Sequence, residues 1–459
     1  MEAALNLAEF GAQVYLVESS PTIGGLMARL NKTFPTNDCS ICIEAPKMYD
    51  VQRNPNITLL TYTDVRRSKF KDGKFQVRLN KKSRFVDEAK CKGCAKCVEA
   101  CPVLVPDELD GKLGGVRKLI SIPIPQAVPN VYFIDPKCRF GKMYGDGACI
   151  GGCKVDCIQC RECQIAKCVA ACKAEGADAV LLWGKDELMD IEVDSIIVAS
   201  GVEIFELPEG YFGYGIYDNV ITHLDYERLT NSGGPTQGEI TRPGDQKHPK
   251  NILWVQCVGR DNKLGISYCS KICCMSSTKQ AIITREHDKD VKLSILYKDL
   301  KTYGKNFYNF YKRASEQGIR YIKGKLAQVH EEPDSKNLLV TFEDLETGEI
   351  NDLEVDLLVL SVPLAPSKNN KRLSKALKIE FNEGTGFFEA LDPMNEPLNS
   401  TVPGIYLCGG ALGPADIAEA VTQGIAACMR AISKPKAKSG SMPESEPVET
   451  GGVINNGGH

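Results

Sequence analysis

The chain has 459 residues, of which 43% are hydrophobic and 25% are charged, and its formal net charge is −3. That length provides for two or three domains with ordinary cores, and the charge gives no basic surface for nucleic acid or anionic lipid. No apolar run reaches the roughly 18 residues that cross a bilayer, and residues 1–13 do not form a signal peptide, so we expect a cytoplasmic protein without a membrane span.

The chain begins with what we interpret as the second half of a dinucleotide-binding unit. Apolar residues at helical spacing predict a helix within residues 1–11, and Gly11 is a typical helix stop. Residues 13–18 then predict a short buried strand, which ends in Glu18, an acid suited to the ribose of an adenosine. The G-x-G-x-x-G turn of such a unit would lie before Met1, so we expect a start codon assigned too late or an N-terminally truncated chain.

A Cys-x-x-Cys pair, Cys39 and Cys42, follows this unit in the segment NDCSICIEAPKM. Such a pair is typical of a redox dithiol or of one half of a metal site. Its position after the Glu18 strand is that of the active thiols in flavin disulfide reductases. Two partly buried cysteines in a loop are an equally good interpretation of the pattern.

Cysteine is the unusual part of the composition, with 20 residues, fourteen of them before Ala174. A disulfide framework suits small secreted domains, whereas this chain is large and has no export signal. We therefore expect most of the cysteines to bind metal. The densest part, residues 85–174, is rich in Lys, Gly and Pro and has few apolar runs.

The spacing Cys91-x2-Cys94-x2-Cys97-x3-Cys101-Pro102 is that of a ferredoxin with two [4Fe–4S] clusters. The tight loop supplies three thiolates to one cluster, and the fourth cysteine of the run binds the other cluster. A zinc ribbon uses Cys-x2-Cys pairs but not this triple run. We predict that the first cluster is held by Cys91, Cys94, Cys97 and Cys172.

The partner run of the second cluster is irregular, because the spacing Cys163-x4-Cys168 is wider than usual. Cys157 or Cys160 could replace one of its ligands. The leftover cysteines are spare thiols or a further metal site, and the sequence does not decide between the two. We predict that the second cluster is held by Cys101, Cys138, Cys163 and Cys168.

Downstream of Asp194, predicted strands alternate with predicted helices, which indicates a doubly wound α/β architecture. The strands are expected within 194–201, 251–258, 291–297, 356–362 and 404–410, and the helices within 276–285, 307–317 and 415–431. Four more cysteines lie at the turn after the second of these strands, where they suit a further cluster or are buried structural residues. The four are Cys257, Cys269, Cys273 and Cys274.

Glycine-rich turns accompany Glu18 and together favour a flavin over a single NAD. Glycine allows a pyrophosphate to approach the backbone closely, and a helix N-terminus favours its negative charge. The predicted cofactor-binding residues are Glu18, Gly24, Gly25, Gly201, Gly409 and Gly410.

Taken together, these residues resemble the HdrA family, the flavin- and iron–sulfur-containing part of heterodisulfide reductase in methanogens and many anaerobic bacteria. The resemblance covers almost the whole chain, and the segment YCSKICCM is highly specific to that family. The similar segments are FPTNDCSICIEAPKM (34–48), the ferredoxin run at Cys91, IPIPQAVPN (122–130), YGIYDNVIT (214–222), VQCVGRD…YCSKICCMSSTKQA (255–281) and the final GIYLCGG…GPADIAEAVTQ.

The resemblance implies a thioredoxin-reductase-like α/β flavoprotein core with two dinucleotide-binding domains and an inserted ferredoxin-like domain carrying two [4Fe–4S] clusters. It implies FAD and a third cluster on the Cys257 group. It also implies that Lys279 lies near the flavin N5, where a cation stabilises an anionic reduced flavin; without the family, an exposed helix lysine is the simpler interpretation. We expect an FAD-binding domain at 1–85, 186–249 and 366–433, the insert at 86–185, an NAD(P)-like domain at 250–365 and a disordered tail at 434–459.

In that family, the flavin takes electron pairs from a hydrogenase or formate dehydrogenase type of donor and sends single electrons along clusters, in some members by bifurcation. The expected partners are B- and C-type subunits, the small subunit of such a donor, and ferredoxin, in a dimer of complexes. The disulfide, CoM-S-S-CoB or a similar one, would be reduced on one of these partners. Rival interpretations are a self-sufficient thiol–disulfide oxidoreductase using Cys39 and Cys42, a non-catalytic scaffold, and a related subunit of a quinone-interacting or acyl-CoA reductase complex.

Overall fold

The computed structural model describes residues 1–101, 104–110, 113–135, 167–181, 184–260 and 264–433. No helix in these ranges is long and apolar enough to cross a membrane. The tail expected at 434–459 lies outside the described residues. So do six of the cysteines considered for clusters, namely Cys138, Cys149, Cys153, Cys157, Cys160 and Cys163.

The N-terminal elements form the helix and parallel strands predicted for part of a dinucleotide-binding unit. Ala4 and Ala8 lie one helical turn apart and are buried, because this face of the first helix packs in a cluster with Met48 and Val51. The first two strands pair in parallel from Val14–Ile57 to Val17–Leu60. The elements are α1 (Glu2–Glu9), β1 (Val14–Val17), α2 (Ser40–Arg53) and β2 (Ile57–Leu60).

A three-stranded antiparallel sheet forms the base from which the cysteine-rich segment leaves the core. Asp72 and Gly73 both have positive φ, as a tight hairpin turn requires. Lys81, at the end of one strand, pairs with Glu187, at the start of another, so the inserted segment leaves and returns at neighbouring points. This geometry allows an insertion without disturbing the sheet. The strands are β3 (Thr63–Lys71), β4 (Lys74–Lys81) and, after the insert, Glu187–Val193.

The insert has short elements and a small core of its own. Phe85, Val86, Ile120, Ile134 and Val180 pack together around the buried cysteines. The domain limits predicted from the sequence stay predictions. The elements are α3 (Lys96–Ala100), β5 (Leu104–Pro106), β6 (Val116–Lys118), β7 (Ile120–Ser121), β8 (Phe133–Ile134) and α4 (Lys167–Ala174), after which β9 (Glu187–Val193) returns the chain to the core.

A seven-stranded sheet dominates the second half of the chain. Its strands lie side by side in the order Val220–Thr222, Leu357–Leu360, Asn251–Val255, Lys292–Tyr297, Arg320–Glu331, Leu338–Asp344 and Ile350–Val355. The first five strands are parallel and the last two add an antiparallel meander. The middle strands are almost fully apolar because helices cover both faces of a parallel sheet. The elements are β10 (Ile196–Val198), β11 (Val202–Ile204), β12 (Val220–Thr222), α5 (His223–Leu229), β13 (Asn251–Val255), α6 (Cys273–His287), β14 (Lys292–Tyr297), α7 (Phe307–Glu316), β15 (Arg320–Glu331), β16 (Leu338–Asp344), β17 (Ile350–Val355) and β18 (Leu357–Leu360).

The last elements return to the N-terminal part of the molecule. Ile196–Val198 pairs in parallel with the final strand, so the glycines that follow the two strands come close together. The final helix begins with a capping box in which Asp416 and Glu419 each bind the other's backbone N–H. The elements are β19 (Leu364–Pro366), α8 (Asn370–Leu377), β20 (Ile405–Leu407) and α9 (Ile417–Ile432). The predicted α/β architecture is confirmed.

Candidate functional site

Four cysteines of the insert line one small pocket, and they are the four predicted for the first cluster. Cys91, Cys94 and Cys97 come from the loop before α3 and from α3 itself, whereas Cys172 comes from α4. The loop can fold back on itself because Gly93 and Ala95 both have positive φ. The structure thus brings together residues up to 81 positions apart, although their role as ligands stays a prediction.

The chemistry of this pocket suits iron. Burial, together with the neighbouring Cys91 and Cys172, raises the pKa of Cys97 to about 12. Such thiols lose their protons readily only when a cation compensates the thiolate charge. Cys172 Sγ accepts a hydrogen bond from the Ala179 N–H at 3.2 Å, as cluster thiolates do. These residues therefore fit a [4Fe–4S] cluster.

Two of the ligands predicted for the second cluster lie near this pocket. Cys101 is buried at the end of α3 and Cys168 is half-buried near the start of α4. Burial raises the pKa of Cys168, and Cys101 is the next largest cause, so the two sulfurs are neighbours. The other two predicted ligands lie outside the described residues, and the set stays a prediction.

A cavity of about 510 Å³ lies beside the carboxyl ends of the parallel strands, where α/β proteins usually bind ligands. This volume is within the range of cofactor sites, roughly 300–1,000 Å³. The loop 26–35, the first turn of α5, the first half of α6, the segment 303–307 and the start of α9 enclose it. The polar side chains in its lining are Lys32, Thr33, His223, Ser276, Lys279, Tyr303, Lys305, Asp416, Glu419, Thr422 and Gln423.

Lys279 lines this cavity and forms a buried ion pair. Its Nζ lies 2.5 Å from Glu227 Oε1 and donates to the Lys32 carbonyl at 2.7 Å. The side chains of Lys279 and Glu227 are only 2% and 1% exposed, so the alternative of an exposed helix lysine is wrong. The family-based expectation that the ammonium lies near a flavin N5 stays a prediction.

A polar network fixes Glu227 and extends to the sheet. Gln280 Nε2 donates to Glu227 Oε1 at 2.6 Å and to the His223 carbonyl at 2.7 Å, while Trp254 Nε1 donates to Gln280 Oε1 at 2.9 Å. Burial lowers the pKa of His223 to about 4, so its imidazole is neutral at neutral pH. Because every member has a partner, the network holds the Lys279 ammonium rigidly.

The four cysteines predicted for the third cluster surround the start of α6. Cys257 follows β13 with φ +59, which ends the strand earlier than the sequence suggested, and Cys273 and Cys274 open the helix. Burial raises the pKa of Cys273 well above its usual value, and Cys274, Cys257 and Cys269 raise it further. Cys257, Cys269 and Cys274 are therefore neighbours of Cys273, whose thiolate would need a cation to compensate its charge.

No three His, Cys, Asp or Glu side chains in the described ranges are arranged around a single metal ion. A cubane cluster spreads its ligands over four iron atoms, so its thiolates lie farther apart than those of a one-ion site. The two cysteine groups remain candidates for [4Fe–4S] clusters.

The predicted flavin-binding glycines lie outside the cavity lining, at positions where the backbone has positive φ or where a side chain would not fit. A Cβ on Gly410 would lie 2.7 Å from the carbonyl carbon of Gly201, so the two turns touch through their backbones. Gly409 has φ +61, and Gly24 and Gly25 also have positive φ. Their cofactor role stays a prediction.

The predicted ribose ligand Glu18 is engaged within its own loop. Its Oε1 accepts the Ser20 N–H at 2.7 Å, which leaves the other carboxylate oxygen for a ligand. This residue follows β1 and is half-buried. Its assignment to a ribose stays a prediction.

Cys39 and Cys42 are joined as a disulfide at the start of α2. Cys39 is the N-cap, and its Sγ accepts the Cys42 N–H at 3.3 Å. The loop interpretation is wrong for Cys42, which lies in the first helical turn. In the disulfide state neither sulfur is available as half of a metal site.

Sequence reasoning missed Glu227, His223 and Asp416. Glu227 and His223 carry no motif, because their importance comes from contacts with α6, more than 50 residues away. The D-x-x-E pattern of Asp416 and Glu419 is a capping box and could have placed the start of α9.

Comparison with known proteins places the insert in a defined family. Residues 84–107 match the 4Fe-4S binding domain family. The match includes Cys91, Cys94, Cys97 and Cys101, so this part of the insert is similar to a 4Fe-4S binding domain.

Two curated relatives resemble nearly the whole chain. The iron-sulfur A subunit of the CoB–CoM heterodisulfide reductase of Methanocaldococcus jannaschii is 43% identical over 95% of this chain and 63% of the relative. The A subunit of the H2/formate:CoB-CoM heterodisulfide,ferredoxin reductase of Methanococcus maripaludis is 42% identical over 92% of this chain and 60% of the relative. The chain thus spans less than two thirds of the length of these relatives.

Among solved structures, the thioredoxin reductase of T. acidophilum aligns with 94% of this chain and 93% of its own length. The TM-score is 0.45 and the identity is 14%.

Proposed function

Because the chain belongs to the HdrA family of heterodisulfide reductase components, we propose that it is the flavin and iron–sulfur electron-transfer component of such a complex. The observation that carries the proposal is that α6 contributes residues both to a cysteine group and to the cavity. This helix begins with Cys273 and Cys274 of one cysteine group and presents Lys279 to the cavity less than two turns later. A cluster and a flavin bound at these places would be close enough to exchange electrons.

The residues around the cavity fit FAD, which would convert two-electron into one-electron transfers. The buried Lys279 ammonium faces a cavity of suitable volume and would favour negative charge on a bound ring. Glu227 and the Lys32 carbonyl keep the ammonium in place. The apolar side chains Leu26, Leu30 and Phe34 line the same space and would contact the apolar part of a bound ring.

The names of the relatives support electron donors that use H2 or formate, ferredoxin as an acceptor and further subunits in a complex. We propose that electrons come from H2 or formate through a hydrogenase or formate dehydrogenase and leave to ferredoxin and to B- and C-type subunits. On this proposal the CoB–CoM disulfide is reduced on a partner, in a cytoplasmic dimer of complexes, and bifurcation at the flavin is one route for the electrons.

The test is anaerobic reconstitution of the chain, followed by iron, sulfide and flavin analysis and EPR. We expect about twelve iron atoms per chain if three cubane clusters form. A measured content of about eight iron atoms per chain would show that either the Cys257 site or the second site of the insert holds no cluster. A protein that takes up neither iron nor flavin would contradict the proposal and favour a scaffold.

The role of Lys279 has its own test. Lys279→Met should make the flavin midpoint potential more negative, because the charge that favours the reduced anion is lost. Lys279→Arg, which keeps the charge, should shift it less. Equal potentials in all three proteins would refute the role.

A further inference from the structure

A small hairpin, residues 31–40, connects the Cys39–Cys42 disulfide with the buried pair of Lys279 and Glu227. Its two strands are held by an isolated antiparallel bridge between Lys32 and Cys39. The Ser40 N–H donates to the Asn31 carbonyl at 3.1 Å, and the Thr33 N–H donates to the Asp38 carbonyl at 2.9 Å. The hairpin is therefore a defined element rather than a loose loop.

The first strand of the 31–40 hairpin contacts both members of the buried pair through its backbone. The Asn31 N–H donates to Glu227 Oε2 at 3.1 Å, and the Lys32 carbonyl accepts from Lys279 Nζ at 2.7 Å. Asn31 Nδ2 also donates to the Thr230 carbonyl at 2.9 Å, which ties the same strand to the end of α5. A displacement of this strand would disturb the pair from both sides.

The second strand of the 31–40 hairpin ends in the disulfide. Cys39 is half-buried, whereas Cys42 is exposed. A negative charge on Cys39 Sγ would be stabilised by the Cys42 N–H and by the N-terminal end of the fourteen-residue helix α2. Cys39 therefore has the surroundings of a leaving group and Cys42 those of a sulfur open to attack.

We propose that Cys39–Cys42 is a thiol–disulfide exchange site for an external dithiol, and that its redox state controls how firmly the 31–40 hairpin holds Lys279 and Glu227. The exchange site does not depend on the proposed function. Only the consequence for a flavin in the cavity rests on that function.

The exchange has two steps and balances with two electrons. A thiolate of the external dithiol attacks Cys42 Sγ, the Cys39–Cys42 bond breaks, and Cys39 leaves as a thiolate. The second thiol of the external molecule then attacks the mixed disulfide and releases Cys42. The external dithiol is oxidised to a disulfide, and its two protons end on the thiols of Cys39 and Cys42.

Reduction removes the disulfide cross-link between Cys39 of the hairpin and Cys42 in the first turn of α2. The second strand is then held by its backbone bonds and by two side-chain bonds. Ser40 Oγ donates to the Met27 carbonyl at 2.6 Å, and Thr33 Oγ1 donates to the Asp38 carbonyl at 3.4 Å. Opening of the hairpin becomes easier, since local stability falls when a constraint on a short segment is lost.

The experiment measures hydrogen exchange by mass spectrometry on the cluster-loaded chain under anaerobic conditions, with dithiothreitol as the external dithiol. We expect exchange of the 31–40 amides to increase on the order of tenfold on reduction, with a smaller increase in α5. Alkylation and peptide mapping of the same samples should show two new thiols, at Cys39 and Cys42.

A variant pair separates this effect from reduction of the clusters. Cys39→Ser with Cys42→Ser should exchange as the reduced protein does and should not respond to dithiothreitol. Cys428→Ser, which alters a buried cysteine of α9, should respond as the unsubstituted protein does. If the double variant does not fold, Cys42→Ser alone serves, because it also cannot form the disulfide.

Two results would overturn the proposal. One is a disulfide that dithiothreitol does not reduce in the folded chain. The other is reduction with unchanged exchange in 31–40 and α5, which would leave the pair of cysteines without any effect on Lys279 and Glu227. Neither result depends on iron content or flavin binding, so both are distinct from failure of the proposed function.

Discussion

The insert and the cavity gather their functional side chains at very different sequence separations. In the insert, Cys91, Cys94 and Cys97 lie within seven residues, and one further helix adds Cys172. At the cavity, Lys279 contacts Glu227 and Lys32, which are 52 and 247 residues away. The first site is therefore built around a short loop, and the second around the packing of whole elements.

The difference in sequence separation indicates what stabilises each site. The insert has short strands, two short helices and a small core in the described ranges, so bound iron should contribute much of its folding energy. The cavity is lined in part by α5 and α6, which pack on the large apolar core of the seven-stranded sheet, so these residues should stay in place without a cofactor.

The largest effect is expected from Cys172→Ala, which removes the one ligand of the predicted first cluster that lies outside the loop. Iron content should fall by about four atoms per chain, and the insert should become sensitive to proteolysis. Iron and sulfide analysis with EPR measures the loss. Cys428→Ala, at a buried position of α9 without a predicted ligand role, is the control and should keep its iron. Equal iron in both variants would contradict the assignment.

At the cavity, Glu227→Gln should destabilise the protein by about 3–5 kcal/mol, because it leaves the Lys279 ammonium buried without its carboxylate. Adding Lys279→Met should recover much of that loss, since the unpaired charge is then gone. Urea unfolding of both variants measures the coupling. Glu316→Gln, in an exposed pair with Lys312, should leave the midpoint unchanged. A loss below about 1 kcal/mol in Glu227→Gln would show that the pair is not a buried constraint.

The same contrast explains how much the sequence could predict. The strands within 251–258 and 291–297 and the helices within 307–317 and 415–431 are confirmed, because local periodicity and helix stops determine them. The first cysteine pocket also follows from spacing alone. Glu227 and His223 could not be identified, since an acid and a histidine on a short helix look like surface residues until α6 packs against them. The hairpin 31–40 was missed because its hydrogen bonds are made by the backbone.

The pH dependence of stability tests whether His223, which lines the cavity, is buried in its neutral form. The pKa of His223 is lowered to about 4 by burial, below the ordinary 6.5, so between these values the unfolded chain binds the proton and the folded chain does not. The neutral, buried His223 therefore contributes its full stabilisation above pH 6.5. The free energy of unfolding falls by up to about 3 kcal/mol as the pH drops toward 4.

The substitution His223→Asn isolates this contribution. The Asn Oδ1 can accept the Val362 N–H, which His223 Nδ1 accepts at 3.2 Å, but it does not titrate. The urea midpoint of this variant should fall less than that of the unsubstituted protein between pH 7 and pH 4.5. Acid effects on the clusters are common to both proteins and cancel in the difference. Parallel curves would show that the imidazole is not held neutral.

The smallest expected effect concerns the cap of α5, the helix that carries both His223 and Glu227. Thr222 Oγ1 accepts the Asp225 N–H at 3.2 Å, and Asp225 Oδ2 accepts the Thr222 N–H at 2.9 Å. Thr222→Ala should cost about 1 kcal/mol in urea unfolding, whereas Thr222→Ser should cost much less because it keeps the hydroxyl. Iron content should be unchanged in both, since the substitution alters the capping bonds between Thr222 and Asp225 and no predicted cluster ligand. Equal unfolding free energies for Thr222→Ala and Thr222→Ser would show that the cap does not stabilise α5. The position of α5 would then depend on its packing against α6 alone.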